Sequence, residues 1–157
     1  MEYDSTADTL KHIKRVNELL LLAAKELMDR AVKHDSSKLG SPEKECFDII
    51  TPRLKTSTYG SPDYKATMAE FKDSIEHHQK HNSHHPEFYP NGINDFDLFD
   101  LIELFFDWKA ASERHVDGDI LKSLQINKER FGISDQLLSI LKNTVCRYLT
   151  ITMQTHG

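Results

Sequence analysis

The chain has few of the residues that staple small folds. Only two cysteines occur in 157 residues, Cys46 and Cys146, too far apart for either a thiolate metal site or a disulfide framework. Long apolar runs are missing too: nothing approaches the roughly eighteen consecutive apolar residues of a spanning helix. The acidic start Met1-Glu2-Tyr3-Asp4 leads into no apolar leader segment. Neither charge sign dominates, since 20 basic residues face 25 acidic ones for a net charge of −5, which excludes a whole-surface attraction to nucleic acid. Strand-like alternation and internal repeats are absent. These gaps predict a soluble, cytoplasmic chain forming a single domain over residues 1–157, with no membrane and no nucleic-acid partner.

Histidine is what the chain has in excess. Of its nine histidines, five (His77, His78, His81, His84 and His85) fall in one short segment. A further one begins the run His34-Asp35-Ser36-Ser37-Lys38-Leu39. An imidazole beside a carboxylate joins a borderline nitrogen donor to a hard oxygen donor, a combination suited to first-row divalent metals.

Apolar spacing predicts an all-α fold of about six helices. Leu10, Ile13, Val16, Leu19, Leu20, Ala23 and Leu27 set a helical period over residues 6–33. Ser41-Pro42 and Ser61-Pro62 each start a helix, with Thr51-Pro52 ending or bending the first and the second running to Lys80. A loop rich in Pro, Gly and Asn follows over 86–94. Further helices are expected over 97–114, from Asp119 to near Gly132, and from Ser134 to about Thr152.

Placed on these helices, the polar candidates separate. Tyr64, Met68, Phe71, Ile75 and His78 follow alternating steps of four and three, so His78 continues an apolar stripe. His77 lies about 100° away around the helix and is expected to be dispensable, as is His115. Asn82 falls one turn beyond His78. His12 shares a face with Val16, Leu19 and Ala23. Asp107 interrupts a segment apolar on most sides, where a carboxylate needs a partner, a proton or a metal, and Glu103 precedes it by one turn. Each has a plainer reading: a hydrogen-bonded core histidine, a solvated helix end, or an acid paired with Lys109 or Arg114.

The ordered set His12, His34-Asp35, His78, His84-His85 and Asp107 resembles the HD-domain superfamily of metal-dependent phosphohydrolases. His34-Asp35-Ser36-Ser37-Lys38 is similar to that superfamily's His-Asp-x-Gly-Lys motif, with Ser37 in place of glycine. His78-x-x-x-Asn82-x-His84-His85-Pro86-Glu87 and Asp107-Trp108-x-Ala110-Ala111 look like a small HD-like branch. The resemblance spans His12 to about Asn143. It implies an HD-like helical bundle in which His12, His34, Asp35 and Asp107 hold one divalent ion and His78 with His84 or His85 holds a second, with Asp35 bridging. Fe, Mn, Zn, Ni, Co or Mg would suit such a donor set. Asp35, Lys38 and Glu103 are the expected catalytic residues, Lys38 as a phosphate contact and Glu103, or Glu87, as a proton carrier. Arg114, Lys122 and Arg130 are secondary phosphate contacts. The implied activity is hydrolysis of a phosphoester in a small phosphorylated substrate, a nucleotide by preference, whose base Phe88, Tyr89 or Trp108 would stack on. The alternatives are an HD-type di-iron oxygenase and a non-catalytic helical interaction module. For His12 to share an ion with His34, the first helix has to bend sharply between Leu21 and Asp29, because a straight one separates them by about 33 Å.

Overall fold

The computed structural model describes residues 3–58, 60–114 and 118–155, with side chains through 148. The described residues form seven α-helices and no strand, so the protein is all-α. The chain divides into two compact units, residues 1–34 and 35–157. Each unit stands on its own physics.

The first unit is one helix, α1 (Thr6–Lys33), without a buried residue. It contains neither glycine nor proline and is rich in Leu, Ala, Lys, Glu and Arg, the strongest helix formers. Ion pairs within it, Arg15–Glu18 at 3.0 Å and Arg30–Glu26 at 2.9 Å, span single turns. The bend expected between Leu21 and Asp29 is therefore absent. Nothing in the run interrupts the hydrogen-bond ladder, and helical propensity prevails.

The second unit opens with a 3-10 turn (Ser36–Leu39) and α2 (Glu43–Lys55). Pro52 neither ends α2 nor stops its last turn; the helix continues three residues past it. Ser61 caps α3 (Pro62–Glu70), its hydroxyl accepting from the Tyr64 N–H at 3.2 Å, with Pro62 in the first turn as the sequence predicts. The expected single helix to Lys80 is instead two, because Phe71, at φ −108° and ψ 26°, separates α3 from α4 (Lys72–His81). The stripe survives the break: Tyr64, Met68, Phe71 and Ile75 are partly buried and His78 fully. α2 packs on both α3 and α4.

Two further 3-10 turns, Pro86–Phe88 and Gly92–Asp95, structure the expected loop. α5 (Leu98–Ser112) starts at a reciprocal capping box between Asp97 and Asp100. α6 (Ile120–Phe131) is capped by Asp119 and ends at Gly132, whose φ of +64° is the left-handed conformation that glycine adopts without penalty. The Ser134 hydroxyl accepts from Leu137 N–H at 3.2 Å and leads α7 (Asp135–Thr155). α6 packs against both α5 and α7. Phe105, Ile120, Leu124, Ile133, Leu138, Leu141 and Val145 form the buried core between them.

One polar anchor ties the loop to this scaffold. The Tyr89 hydroxyl donates to Oδ2 of buried Asp100 at 2.7 Å. Burial, and then Asp100, push the tyrosine up to about 12 from its usual 10.0. A group held protonated by the fold contributes stability that is complete below the unfolded value and fades as pH rises toward the folded one. Wild-type protein is thus expected to lose stability between about pH 10 and 12. The Tyr89→Phe protein lacks that alkaline component and is about 1–2 kcal/mol less stable at neutral pH, as measured by urea denaturation across pH.

Candidate metal centre

Asp35 opens the second unit in an unusual backbone conformation. Its φ of 55° and ψ of 12° lie in the left-handed region, and it is the one non-glycine residue with positive φ among the described residues. Aspartate is one of the few side chains that tolerate this region, which occurs often at functional sites. The turn aims the Asp35 carboxylate at three groups. Oδ1 lies 3.1 Å from His78 Nε2 and 3.5 Å from His84 Nε2, and Oδ2 accepts from Lys38 Nζ at 2.6 Å. Burial works against the Asp35 carboxylate charge, but the two histidines and Lys38 outweigh it and hold the group well below the usual carboxylate range.

His78 comes from the last turn of α4, while His84 and His85 follow from the turn before Pro86. Nε2 of His85 stands 3.0 Å from Nε2 of His78. Two imidazole lone pairs cannot face one another at that distance, so a proton or a cation has to lie between them. Burial, then His84 and His78, lower His85 to about 3. A neutral imidazole is the form that ligates metal. Asp35, His78, His84 and His85 each offer one donor atom within 4.8 Å of every other, an arrangement that could hold a metal ion.

α5 adds two acids to this side of the fold. Glu103 Oε1 lies 3.3 Å from Nδ1 of His84. Asp107, partly buried one turn later, brings a carboxylate oxygen within 4.8 Å of one of Asp35, and its charge acts on His85. Lys38 sits over the Phe47 ring, 4.9 Å from its centroid, while keeping its ion pair with Asp35.

His12 is exposed on the unbroken α1, about 33 Å along the helix from His34, so within one chain the two cannot share an ion. The expected sharing of one ion by His12 and His34 is corrected on that ground. His34 is the C-cap of α1, one peptide bond before Asp35. His115 lies outside the described residues.

Glu43 is the residue that sequence reasoning missed. In the string Ser41-Pro42-Glu43 it reads as an ordinary acid of a helix's first turn, yet its side chain is 1% exposed. His77 is not a bystander either: its Nδ1 lies 3.0 Å from Glu43 Oε1. No periodicity in the sequence signals a contact between α2 and the outer flank of α4.

The aromatics proposed to stack on a base are engaged in packing. Trp108 stacks on Phe131, and Tyr89 sits edge-on between Phe88 and Phe96. Arg130 pairs with Glu87 at 2.8 Å, and Lys122 lies 3.9 Å from Asp119. No helix among the described residues is long and apolar enough to cross a membrane.

A family model described as a family of unknown function (DUF5662) matches residues 1–147. The chain belongs to that family. No curated protein and no solved structure matches it. The geometry of the centre therefore bears the functional argument for this DUF5662 member.

Proposed function

We propose that the protein is a metal-dependent phosphohydrolase acting on a small phosphorylated substrate, a nucleotide by preference. The observation that carries this reading is the convergence of Asp35, His78, His84 and His85. Three imidazoles with one carboxylate favour zinc, iron, nickel or cobalt over magnesium. Asp107 stands close enough to Asp35 to extend the donor set toward a second ion. The resemblance of the motifs to the HD-domain superfamily supports the same reading.

A divalent ion held there supplies a Lewis acid and brings a coordinated water's pKa toward neutrality. The chain's own residues do the rest. Asp35 and the histidine Nε2 atoms fix the donor geometry, and the charged Lys38 ammonium, held at the edge of the cluster by Asp35 and Phe47, is the group available to meet a phosphoryl oxygen. The position of Glu103 against Nδ1 of His84 supports an orienting role more than the proton-carrying one expected from sequence.

The test is uptake of metal followed by turnover. Purified protein, stripped with chelator, is expected to take up one or two Zn²⁺ or Co²⁺ ions per chain. At a free ion concentration about 1,000 times Kd it should gain about 4 kcal/mol of stability. The reloaded protein should hydrolyse a phosphomonoester, a cyclic nucleotide or a nucleoside triphosphate under anaerobic conditions. Turnover requiring oxygen would favour the iron oxygenase alternative. Absence of any ion uptake would refute the metal reading altogether.

A further inference from the structure

Behind the candidate ligands, hydrogen bonds that the sequence does not advertise converge on one buried carboxylate, Glu43. Glu43 accepts from Ser37 Oγ at 2.8 Å, and its two oxygens lie 2.8 Å from His78 Nδ1 and 3.0 Å from His77 Nδ1. Two other groups stand near His78 Nδ1, Asn82 Nδ2 at 3.0 Å and Ser37 Oγ at 3.2 Å, and the hydrogens of both are committed elsewhere. The Asn82 amide donates to the His78 carbonyl at 2.8 Å and to Ser37 Oγ at 3.0 Å, and the Ser37 hydroxyl spends its proton on Glu43. An ionised carboxylate can only accept, so the proton between Glu43 and His78 belongs to the imidazole. Nδ1 of His78 therefore carries hydrogen, and Nε2, the atom aimed at Asp35 and His85, is the ring nitrogen an ion would take, displacing any proton it shares with the Asp35 carboxylate. The layout recurs at His84, where Glu103 faces Nδ1 and Nε2 faces Asp35. Ser37, the departure from the motif glycine, is the residue whose hydroxyl anchors Glu43.

We propose that Glu43 is a positioning residue that keeps hydrogen on Nδ1 of His78 and so presents its Nε2 as a metal ligand. Its consequence for binding rests on the metal reading above; its assignment of the His78 proton does not. An acid in this position also fixes the ring's orientation and raises the basicity of the ligating nitrogen, and loss of such a partner typically weakens metal binding by about 10- to 100-fold.

Two measurements test it together: Zn²⁺ titration, and ¹⁵N NMR of the His78 ring with and without Zn²⁺. In the wild type, Nδ1 of His78 is expected to carry a proton in both states. The Glu43→Gln protein, which retains an accepting oxygen without the charge, keeps that proton and binds Zn²⁺ about 10-fold more weakly. The Glu43→Leu protein loses the preference for a protonated Nδ1 and binds about 100-fold more weakly. Should Glu43→Leu fail to fold, Glu43→Gln carries the test, since a purely structural role predicts no change in its Zn²⁺ affinity once its fold is verified. Wild-type protein that takes up Zn²⁺ with a bare Nδ1 overturns the role of Glu43 alone. A folded Glu43→Leu protein with wild-type affinity does the same. Wild-type protein that takes up no Zn²⁺ overturns the metal reading and the ligand-presenting role built on it, while the ¹⁵N spectrum still decides by itself whether Glu43 keeps hydrogen on Nδ1.

Discussion

The Asp35→Asn protein takes up Zn²⁺ more than about 100-fold more weakly than wild type, beyond the loss caused by removing a supporting partner. Asparagine has nearly the same shape, so the change removes charge and one lone-pair-rich oxygen while sparing the packing. Three contacts depend on that charge: His78 Nε2 at 3.1 Å, His84 Nε2 at 3.5 Å and Lys38 Nζ at 2.6 Å. With a neutral amide there, Lys38 faces three imidazoles with no carboxylate from position 35 between them, and its positive charge opposes an incoming cation. Calorimetric titration with Zn²⁺ reads the effect directly, and phosphoester turnover should vanish with it. Affinity within tenfold of wild type would mean that Asp35 is no ligand and that its neighbours form a structural ion-pair network.

The Leu124→Ala protein is about 3–5 kcal/mol less stable than wild type. Leu124 is fully buried, with 0% exposure, on the helix that packs between α5 and α7. Its neighbours in the core, Phe105 from α5 and Leu138, Leu141 and Val145 from α7, belong to capped helices whose backbones cannot easily collapse into the space left behind. The transfer and cavity terms therefore add. For a unit of this size the melting temperature should fall by roughly 10 °C. Urea denaturation gives the free energy; a loss below about 1 kcal/mol would show that the core reorganises around the deletion.

The helices were legible where local chemistry decides them. Ser61, Asp119 and Ser134 cap helices as expected, and Gly132 ends one, because each acts on backbone groups two or three residues away. Phe71 was not legible, since nothing in its neighbours distinguishes a break from a continuing turn. The stripe that places His78 inward survives that break, and His84 and His85 reach the same centre. The failures lie in long-range geometry. His12 shares a helical face with apolar residues, but a shared face says nothing about reaching a residue 33 Å along the same rod, and no breaker shortens the path. Glu43 and His77 escaped for the opposite reason: their pairing joins α2 to α4, and only folding brings those helices together.

The left-handed turn at Asp35 narrows what evolution can do with the centre. Coordination chemistry alone would accept glutamate there, and the backbone alone would accept glycine or asparagine. Aspartate satisfies both as a short carboxylate, whereas glutamate in this conformation forfeits about 1–2 kcal/mol and misplaces its oxygen by one methylene. A lineage drifting away from metal use would be expected to relax this position first toward asparagine or glycine. On the proposed metal reading, the residue found at position 35 in a homologue is thus a compact diagnostic of whether that homologue shares the proposed chemistry.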